Sequence, residues 1–436
     1  MILRRSALTF AGQAAWLACT GGVFILLARV LGPAEQGRFG LLFTLMTLAT
    51  TAAGLGLGTG AVYRLATGAA PAERITANLI SVALLSGAGV VAVLTLTFLL
   101  APALFRGITP IQFGLAVAMG PLLQLTASAG FVLLGLNRPV EFASLNLLQM
   151  ATTLLLQGLA AAAGQLSSET ALAAWLLGGA AGTALGLGLC SRHTRLGLRL
   201  EPGLLRELSF FGLQAYLANS AMLLVYRLDI LILNAFTGLR EVGYYIVAVS
   251  LGEVCWYLSN SVALVLFPQI ATMRQTDAVA ATLRACRLTL LVTAVAVATL
   301  YLAAPLLVTL LYGPALAAAL PALRLLLPGI LALTPAKVIS SYMNGSGKPG
   351  NAALAATGSL PLSLALDFLL IPGHGIEGAA AATSLTYLVT TAISLWLLYR
   401  ETGAGPWEAL VVQAGDLRLA GRRLASVLGR VQAVHP

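Results

Sequence analysis

Residues 75–105 read ITANLISVALLSGAGVVAVLTLTFLLAPALF, a stretch without one ionisable side chain that ends at Arg106. Crossing the hydrocarbon core of a bilayer takes about 20 apolar residues in a helix, and this run exceeds that. Barrel strands would be about 10 residues long with alternating polarity, and no such alternation is present. A backbone in lipid must satisfy its hydrogen bonds within the segment, so the stretch is a membrane-spanning helix.

Working outward, the same reading covers the chain. Of 436 residues 59% are hydrophobic and 9% charged, with mean hydropathy +0.92. Soluble domains carry about 25% charged residues, so this surface faces lipid. Charge-free runs also cover 6–28, 39–63, 107–137, 142–168 and 170–191. The second half reads as spans near 209–236, 242–270, 288–312, 316–345, 351–371 and 378–399. No charge interrupts 288–323, which is too long for one span, and Gly313-Pro314 marks the turn. Run 6–28 follows Arg4 and Arg5 but is too long for a signal-peptide core and lacks a small-x-small cleavage site, so this helix is retained.

About twelve transmembrane helices result, in an all-α polytopic membrane protein. The 25 cations orient them: 18 fall on the side of the N-terminus, 4 on the other side and 3 within spans. Cationic loops stay in the cytoplasm, which places both termini there and requires an even helix count. The Arg-rich linker 191–208 divides the chain into halves 1–190 and 209–400. The basic tail 401–436, with Arg418, Arg422, Arg423 and Arg430 opposite Leu417, Leu424, Leu428 and Val431, reads as a surface helix against anionic lipid or as a solvated tail.

The halves carry an internal repeat. Gly32-Pro33-Ala34-Glu35-Gln36-Gly37-Arg38-Phe39 and Gly238-Leu239-Arg240-Glu241-Val242-Gly243-Tyr244-Tyr245 both fit G-x-x-E-x-G-x-aromatic. Gly135-Leu136-Asn137-Arg138-Pro139 corresponds in the same way to Gly345-Ser346-Gly347-Lys348-Pro349. Each pair lies at the matching helix junction. With six helices per half the repeat is parallel, and such repeats enclose a central cavity.

Other chemistries find no support. The net charge of +10 comes from scattered Arg and Lys with no basic domain, so no nucleic-acid partner is expected. Cys19, Cys190, Cys255 and Cys286 lie in or beside apolar segments without CxxC spacing and read as small hydrophobes, with no metal site or cofactor. Histidine occurs only at His193, His374 and His435, and no paired-carboxylate or nucleophile–base pattern is readable, so an enzyme is not expected.

The segment Leu27-Ala28-Arg29-Val30-Leu31-Gly32-Pro33 with Gln36-Gly37-Arg38-Phe39 resembles the opening of oligosaccharide flippases in the multidrug/oligosaccharidyl-lipid/polysaccharide exporter superfamily. Similar too are Arg227-Leu228-Asp229, Val242-Gly243-Tyr244-Tyr245, Phe267-Pro268, Asn344-Gly345-Ser346-Gly347-Lys348 and Leu369 to Ala380. The resemblance extends to about residue 400 and is carried by Gly, Pro and apolar residues in a specific order. It implies a two-lobed transporter of the bacterial inner membrane that turns polyprenyl-pyrophosphate-linked oligosaccharides to the outer leaflet for surface-polysaccharide (O-antigen) synthesis. Membrane lipids and other polysaccharide-assembly membrane proteins are the implied partners. A multidrug antiporter of the same superfamily is the alternative, then a membrane glycan polymerase or ligase.

Six ionisable residues fall well inside spans: Arg227, Asp229, Glu253, Arg324, Lys337 and Asp367. Each costs about 2.5–3.5 kcal/mol at mid-bilayer on insertion scales, so each should face the interior with a partner or a task. Cations suit a pyrophosphate, and Arg offers a planar fork to phosphate oxygens. Arg324, Arg227 and Lys337 are thus expected to bind substrate, with Arg29 at the outer mouth and Arg64 at the cytoplasmic end. Glu253 and Asp229 are the candidates for ion coupling, and Asp367 reads as a local hydrogen-bonding anchor. Pro321, Pro328 and Pro335, seven apart, bend the tenth span on one face.

Overall fold

The computed structural model describes residues 2–270 and 272–413, and among them all regular structure is helical. The first half contains α1 (Ile2–Leu31), α2 (Pro33–Ala52), α3 (Leu57–Ala66), α4 (Ala72–Leu100), α5 (Pro110–Val117), α6 (Met119–Gly135), α7 (Pro139–Ala162) and α8 (Ser168–His193). The second contains α9 (Pro202–Phe236), α10 (Leu239–Glu253), α11 (Trp256–Ile270), α12 (Gln275–Leu307), α13 (Leu320–Gly345), α14 (Pro349–Thr402) and α15 (Pro406–Leu410). The tail helix expected from Arg418 to Arg430 lies outside the described residues.

Among the described residues nine helices are long and apolar enough to cross a membrane, or ten if α2 and α3, bent by 58°, form one span. At 54 residues α14 would be far too long for one crossing. It breaks at Gly375 (φ 54°, ψ −129°), a conformation open to glycine, and its two arms fold back on each other. The return is fixed by Asn351, near the start, bonding Glu401, near the end, while Lys348 reaches the same carboxylate at 3.3 Å. Two arms of α14, and α10 with α11 as one bent span, make the arrangement consistent with twelve crossings. The turn expected at Gly313 is present, at φ 94° after a π-turn over Val308–Tyr312.

The linker is shorter than 191–208 suggests. Helix α8 runs to His193 and α9 starts at Pro202, whose fixed φ suits a first helical turn. Between them the Arg199 amide bonds Ser81 Oγ at 2.8 Å and the Glu201 amide bonds Asn78 Oδ1 at 2.7 Å, which docks the linker on α4.

The repeat is built into the backbone. Gly32 (φ 81°, ψ −177°) and Gly238 (φ 98°, ψ 177°) open α2 and α10 in the same conformation. At the other junction Asn137 (φ 58°) stands where Gly347 (φ 78°) stands, and the caps Arg138 and Lys348 share φ/ψ within a few degrees. The two G-x-x-E-x-G segments then cross each other. A Cβ on Gly37 would lie 1.8 Å from the Leu239 carbonyl oxygen, and one on Gly243 would lie 1.9 Å from that of Pro33. This reciprocal contact between α2 and α10 joins the halves at the end of the bundle far from the linker.

At the linker end α3 meets α9: Arg64 pairs with Glu207 at 2.6 Å, and Tyr216 Oη donates to the Ala52 carbonyl at 2.6 Å. Helix α13 stays continuous through Pro328 and Pro335. Beside each proline a hydroxyl from the second arm of α14 supplies a donor, Ser384 to the Leu325 carbonyl and Thr391 to that of Ala332. The prolines therefore set a register with α14, seven residues apart on both helices.

Candidate functional site

Packed apolar helices leave little internal space, and a cavity of about 670 Å³ lies wholly within the second half. Its walls are α9 (Asn219, Met222, Tyr226), α11 (Asn260, Ala263, Phe267), α13 from Leu333 to Asn344, and both arms of α14. It extends from Tyr226, in the last third of α9, and Leu333, midway along α13, to Asn344 and Pro349 at the linker-end turn. The Gly37–Gly243 crossing lies at the opposite end of the bundle.

Lys337 is the charged residue among the described lining residues. Its ammonium donates to Asn260 Oδ1 at 3.1 Å and sits 4.3 Å from the centre of the Trp256 ring and 5.4 Å from that of Tyr226. Trp256, Tyr226 and Tyr387 pack together at 4.8–5.8 Å between centroids. Trp256 and Asn260 are four apart on α11 and so present to one side of it. Cation–π contact of this kind is worth about 0.5–2 kcal/mol and holds the ammonium without neutralising it.

Behind the aromatic group Arg227 forms a two-pronged ion pair with Glu253, at 2.9 and 3.1 Å. Glu253 ends α10 where the span breaks before α11, and both side chains are about a quarter exposed. Asp229, two residues on, points elsewhere: it accepts from Tyr245 Oη at 2.5 Å, from Thr383 Oγ1 at 3.1 Å and from the Ile230 amide at 2.8 Å. Three elements, α9, α10 and the second arm of α14, are tied by that carboxylate. Asp367 differs from its expected role as a hydrogen-bonding anchor. It is buried on the first arm of α14, neither oxygen has a partner, and its electrostatic neighbour is Asp229.

The remaining expected cations lie apart from the cavity. Arg324 is exposed beside the Tyr301 ring, 5.2 Å from its centre, on a side of α12 and α13 where Leu302 and Leu325 are also exposed. Arg29 donates to the Leu310 carbonyl at 3.0 Å and clasps α1 to the π-turn at the far end. Arg64 is held by Glu207 at the linker end. Thus Lys337, Arg227, Glu253 and Asp229 are gathered around one region, and Arg324, Arg29 and Arg64 are spread over the periphery. Among the described residues no three His, Cys, Asp or Glu side chains are grouped to hold a metal ion. Sequence reasoning missed Trp256, Tyr226 and Asn260. The available signal was aromatic and amide residues three and seven positions after Glu253, in an otherwise apolar span.

Comparison with known proteins follows the same lines. The family model described as "Polysaccharide biosynthesis protein" matches residues 26–321. A probable low-salt glycan biosynthesis flippase, Agl15 of Haloferax volcanii, is 24% identical over 84% of this chain and 77% of its own length. Two further curated relatives are matched over 39% and 17% of their length, so the chain spans less than half of each. Among solved structures, the lipid II flippase MurJ in an inward closed conformation aligns with TM-score 0.74 at 15% identity, over 94% of this chain and 89% of that one. An inward-facing multidrug resistance MATE family transporter of the MOP superfamily aligns with TM-score 0.70 at 17% identity, over 89% and 96%. At these identities the two structures show a shared fold.

Proposed function

We propose a function from one premise: the chain belongs to the polysaccharide biosynthesis protein family. It is a multi-pass membrane protein with a transporter fold. The function is translocation of a polyprenyl-pyrophosphate-linked oligosaccharide from the cytoplasmic to the outer leaflet of the inner membrane. The linker end and both termini face the cytoplasm, where the cations are concentrated.

The observation that carries this reading is the cavity itself. It reaches the linker end, is lined by amides and hydroxyls, and holds Lys337 against aromatic rings. A cargo with a hydroxyl-rich head and negative charge finds partners there, while its lipid tail stays in the bilayer. Lys337 meets the anionic part of the cargo. Arg227 stands behind it, held by Glu253 until a competing anion exchanges the pair. Rocking of the halves about the Gly37–Gly243 crossing transfers the head to the far side. Asp229, with unpartnered Asp367 nearby, is where a proton or a small cation bias that motion, since a bare buried carboxylate gains most from neutralisation. Arg29 and Arg64 act as clasps at the two ends, and Arg324 lies outside the path.

Multidrug antiport is disfavoured by the sign of the lining, since Lys337 repels cationic drugs. The test is complementation: a strain lacking its own lipid-linked glycan flippase regains surface glycan with this chain and fails to with Lys337→Met. Resistance to cationic dyes without glycan export contradicts the reading.

A further inference from the structure

Among the described residues Lys337 is the single charge on a chamber wall otherwise made of amides, hydroxyls and apolar groups. Next to it Arg227 and Glu253 cancel each other. The chamber therefore offers one net positive charge. A pyrophosphate linking lipid to sugar carries two negative charges, and its second charge would lie against the faces of Trp256 and Tyr226, which are themselves electron-rich. One carboxylate matches the chamber; a pyrophosphate overfills it.

The rest of the lining points to a sugar ring around that carboxylate. The side chains of Asn219, Asn344 and Ser340 line the cavity and, among the described residues, bond no other protein group. Amides and hydroxyls in this state supply both donors and acceptors to sugar hydroxyls. Phe267 adds a flat apolar face, 46% exposed, for the C–H side of a pyranose. Asn219 and Asn344 are exposed and Ser340 half-buried, so all three are open to a ligand, and one that engages several of them at once is favoured over one that engages few. The volume of about 670 Å³ falls within the range of about 300–1,000 Å³ usual for small-molecule sites.

We propose that the second-half chamber is a subsite for an acidic sugar, a hexuronic acid residue of the glycan, whose carboxylate bonds Lys337 while the pyrophosphate stays outside the chamber. This rests on the reading of the chain as a carrier of lipid-linked glycan and specifies which glycans it carries.

The experiment measures binding of D-glucuronate, D-glucose and inorganic pyrophosphate to the purified full chain in detergent, by saturation-transfer NMR with competition. Glucuronate should bind about tenfold more tightly than glucose, the size of one charge-assisted hydrogen bond. Lys337→Met should bring the ratio of glucuronate to glucose affinity down to about one, and Lys337→Arg should keep it. Asn344→Ala, which leaves the charge in place, should weaken both sugars equally. Equal affinity for the two sugars in the unaltered protein overturns the proposal whether or not the variants assemble, as does failure of all three probes to bind. Displacement of glucuronate by pyrophosphate at lower concentration also overturns it and leaves the carrier reading standing. Loss of the carrier reading has its own signature, absence of glycan export in the complemented strain.

Discussion

Among the described residues of α1–α8 the buried polar side chains are neutral, and several bond one another or the backbone, while both amide atoms of Gln36 stay unpartnered. Thr126 shares a hydrogen bond with Thr183 at 2.8 Å, Gln157 donates to the Ala171 carbonyl at 3.2 Å, and Gln112 donates to Ser168 at 2.9 Å. In α9–α14 the equivalent depth holds Arg227, Asp229, Glu253, Lys337 and Asp367. The two halves share junction geometry, glycine for glycine at Gly32 and Gly238, yet the cavity and the charges are in one of them. The shared turns give both halves one scaffold, and the proposed site draws on the side chains of one copy.

The largest way to break this comparison is to unbalance the charged interior. Glu253→Gln leaves Arg227 without its counter-ion and should cost about 3 kcal/mol, near the lower end of the values for breaking buried pairs because the pair is partly exposed. Thr126→Val in the first half should cost about 1 kcal/mol. Denaturant unfolding in micelles compares them, and Arg227→Met combined with Glu253→Leu should recover most of the loss. Equal costs in the two halves would remove the distinction.

A second test strikes the α2–α10 crossing, where corresponding segments of the two copies touch. Gly37→Ala puts a methyl group 1.8 Å from the Leu239 carbonyl oxygen, so the crossing cannot close as it stands. Hydrogen exchange in α2 and α10 should accelerate by about tenfold or more, and glycan export should fall with it. Unchanged exchange would mean that the crossing does not hold α2 and α10 together.

These contacts differ in how far the sequence discloses them. Helix spans were legible because charges punctuate the apolar runs, and the return of α14 was legible at Leu370-Ile371-Pro372-Gly373, just before the break at Gly375. The repeat was legible because its turns need positive φ, which Gly and Asn supply. Breaks within spans were hidden: Gly54-Leu55-Gly56 is one glycine cluster in a chain with 45 glycines, and nothing but Glu253 precedes the break at Val254-Cys255. Side-chain direction was the weakest point. A helix apolar on every side has no polar face from which to read orientation, so Arg324 and Lys337, on the same helix, could not be told apart. The structure separates them, Arg324 outward over Tyr301 and Lys337 inward over Trp256. The Arg227–Glu253 pair joins residues 26 apart on different helices, beyond any local pattern.

Smaller effects sharpen the comparison at the linker seam. Arg64→Gln removes an exposed pair with Glu207 and should change stability by less than about 1 kcal/mol, with that little lost in high salt. An effect as large as that of Glu253→Gln would move the main tie between the halves to this seam. Smallest is the linker clasp on α4. The hydrogen bond from Arg74, then the charge of nearby Arg199, hold the Glu201 carboxyl below the usual carboxylate range. A depressed acid stabilises the fold above its unfolded pKa, about 4.3 for Glu, and loses that contribution as pH falls through the folded value. Glu201→Gln should therefore lower the unfolding temperature slightly at pH 7 and not at pH 3; the reverse order would show that the clasp does not depend on the carboxylate charge.

The most direct measurement is translocation in proteoliposomes that contain the purified chain and a polyprenyl-pyrophosphate-linked glycan with a hexuronic acid residue, scored by a glycosidase confined to the outside. The unaltered protein and Arg324→Ala should expose the glycan at similar rates, because Arg324 faces away from the cavity, and Lys337→Met should be slower by at least about tenfold, the loss of one charge-assisted contact. Lys337→Met working at the unaltered rate while Arg324→Ala fails would contradict the assignment of the path to the second-half cavity.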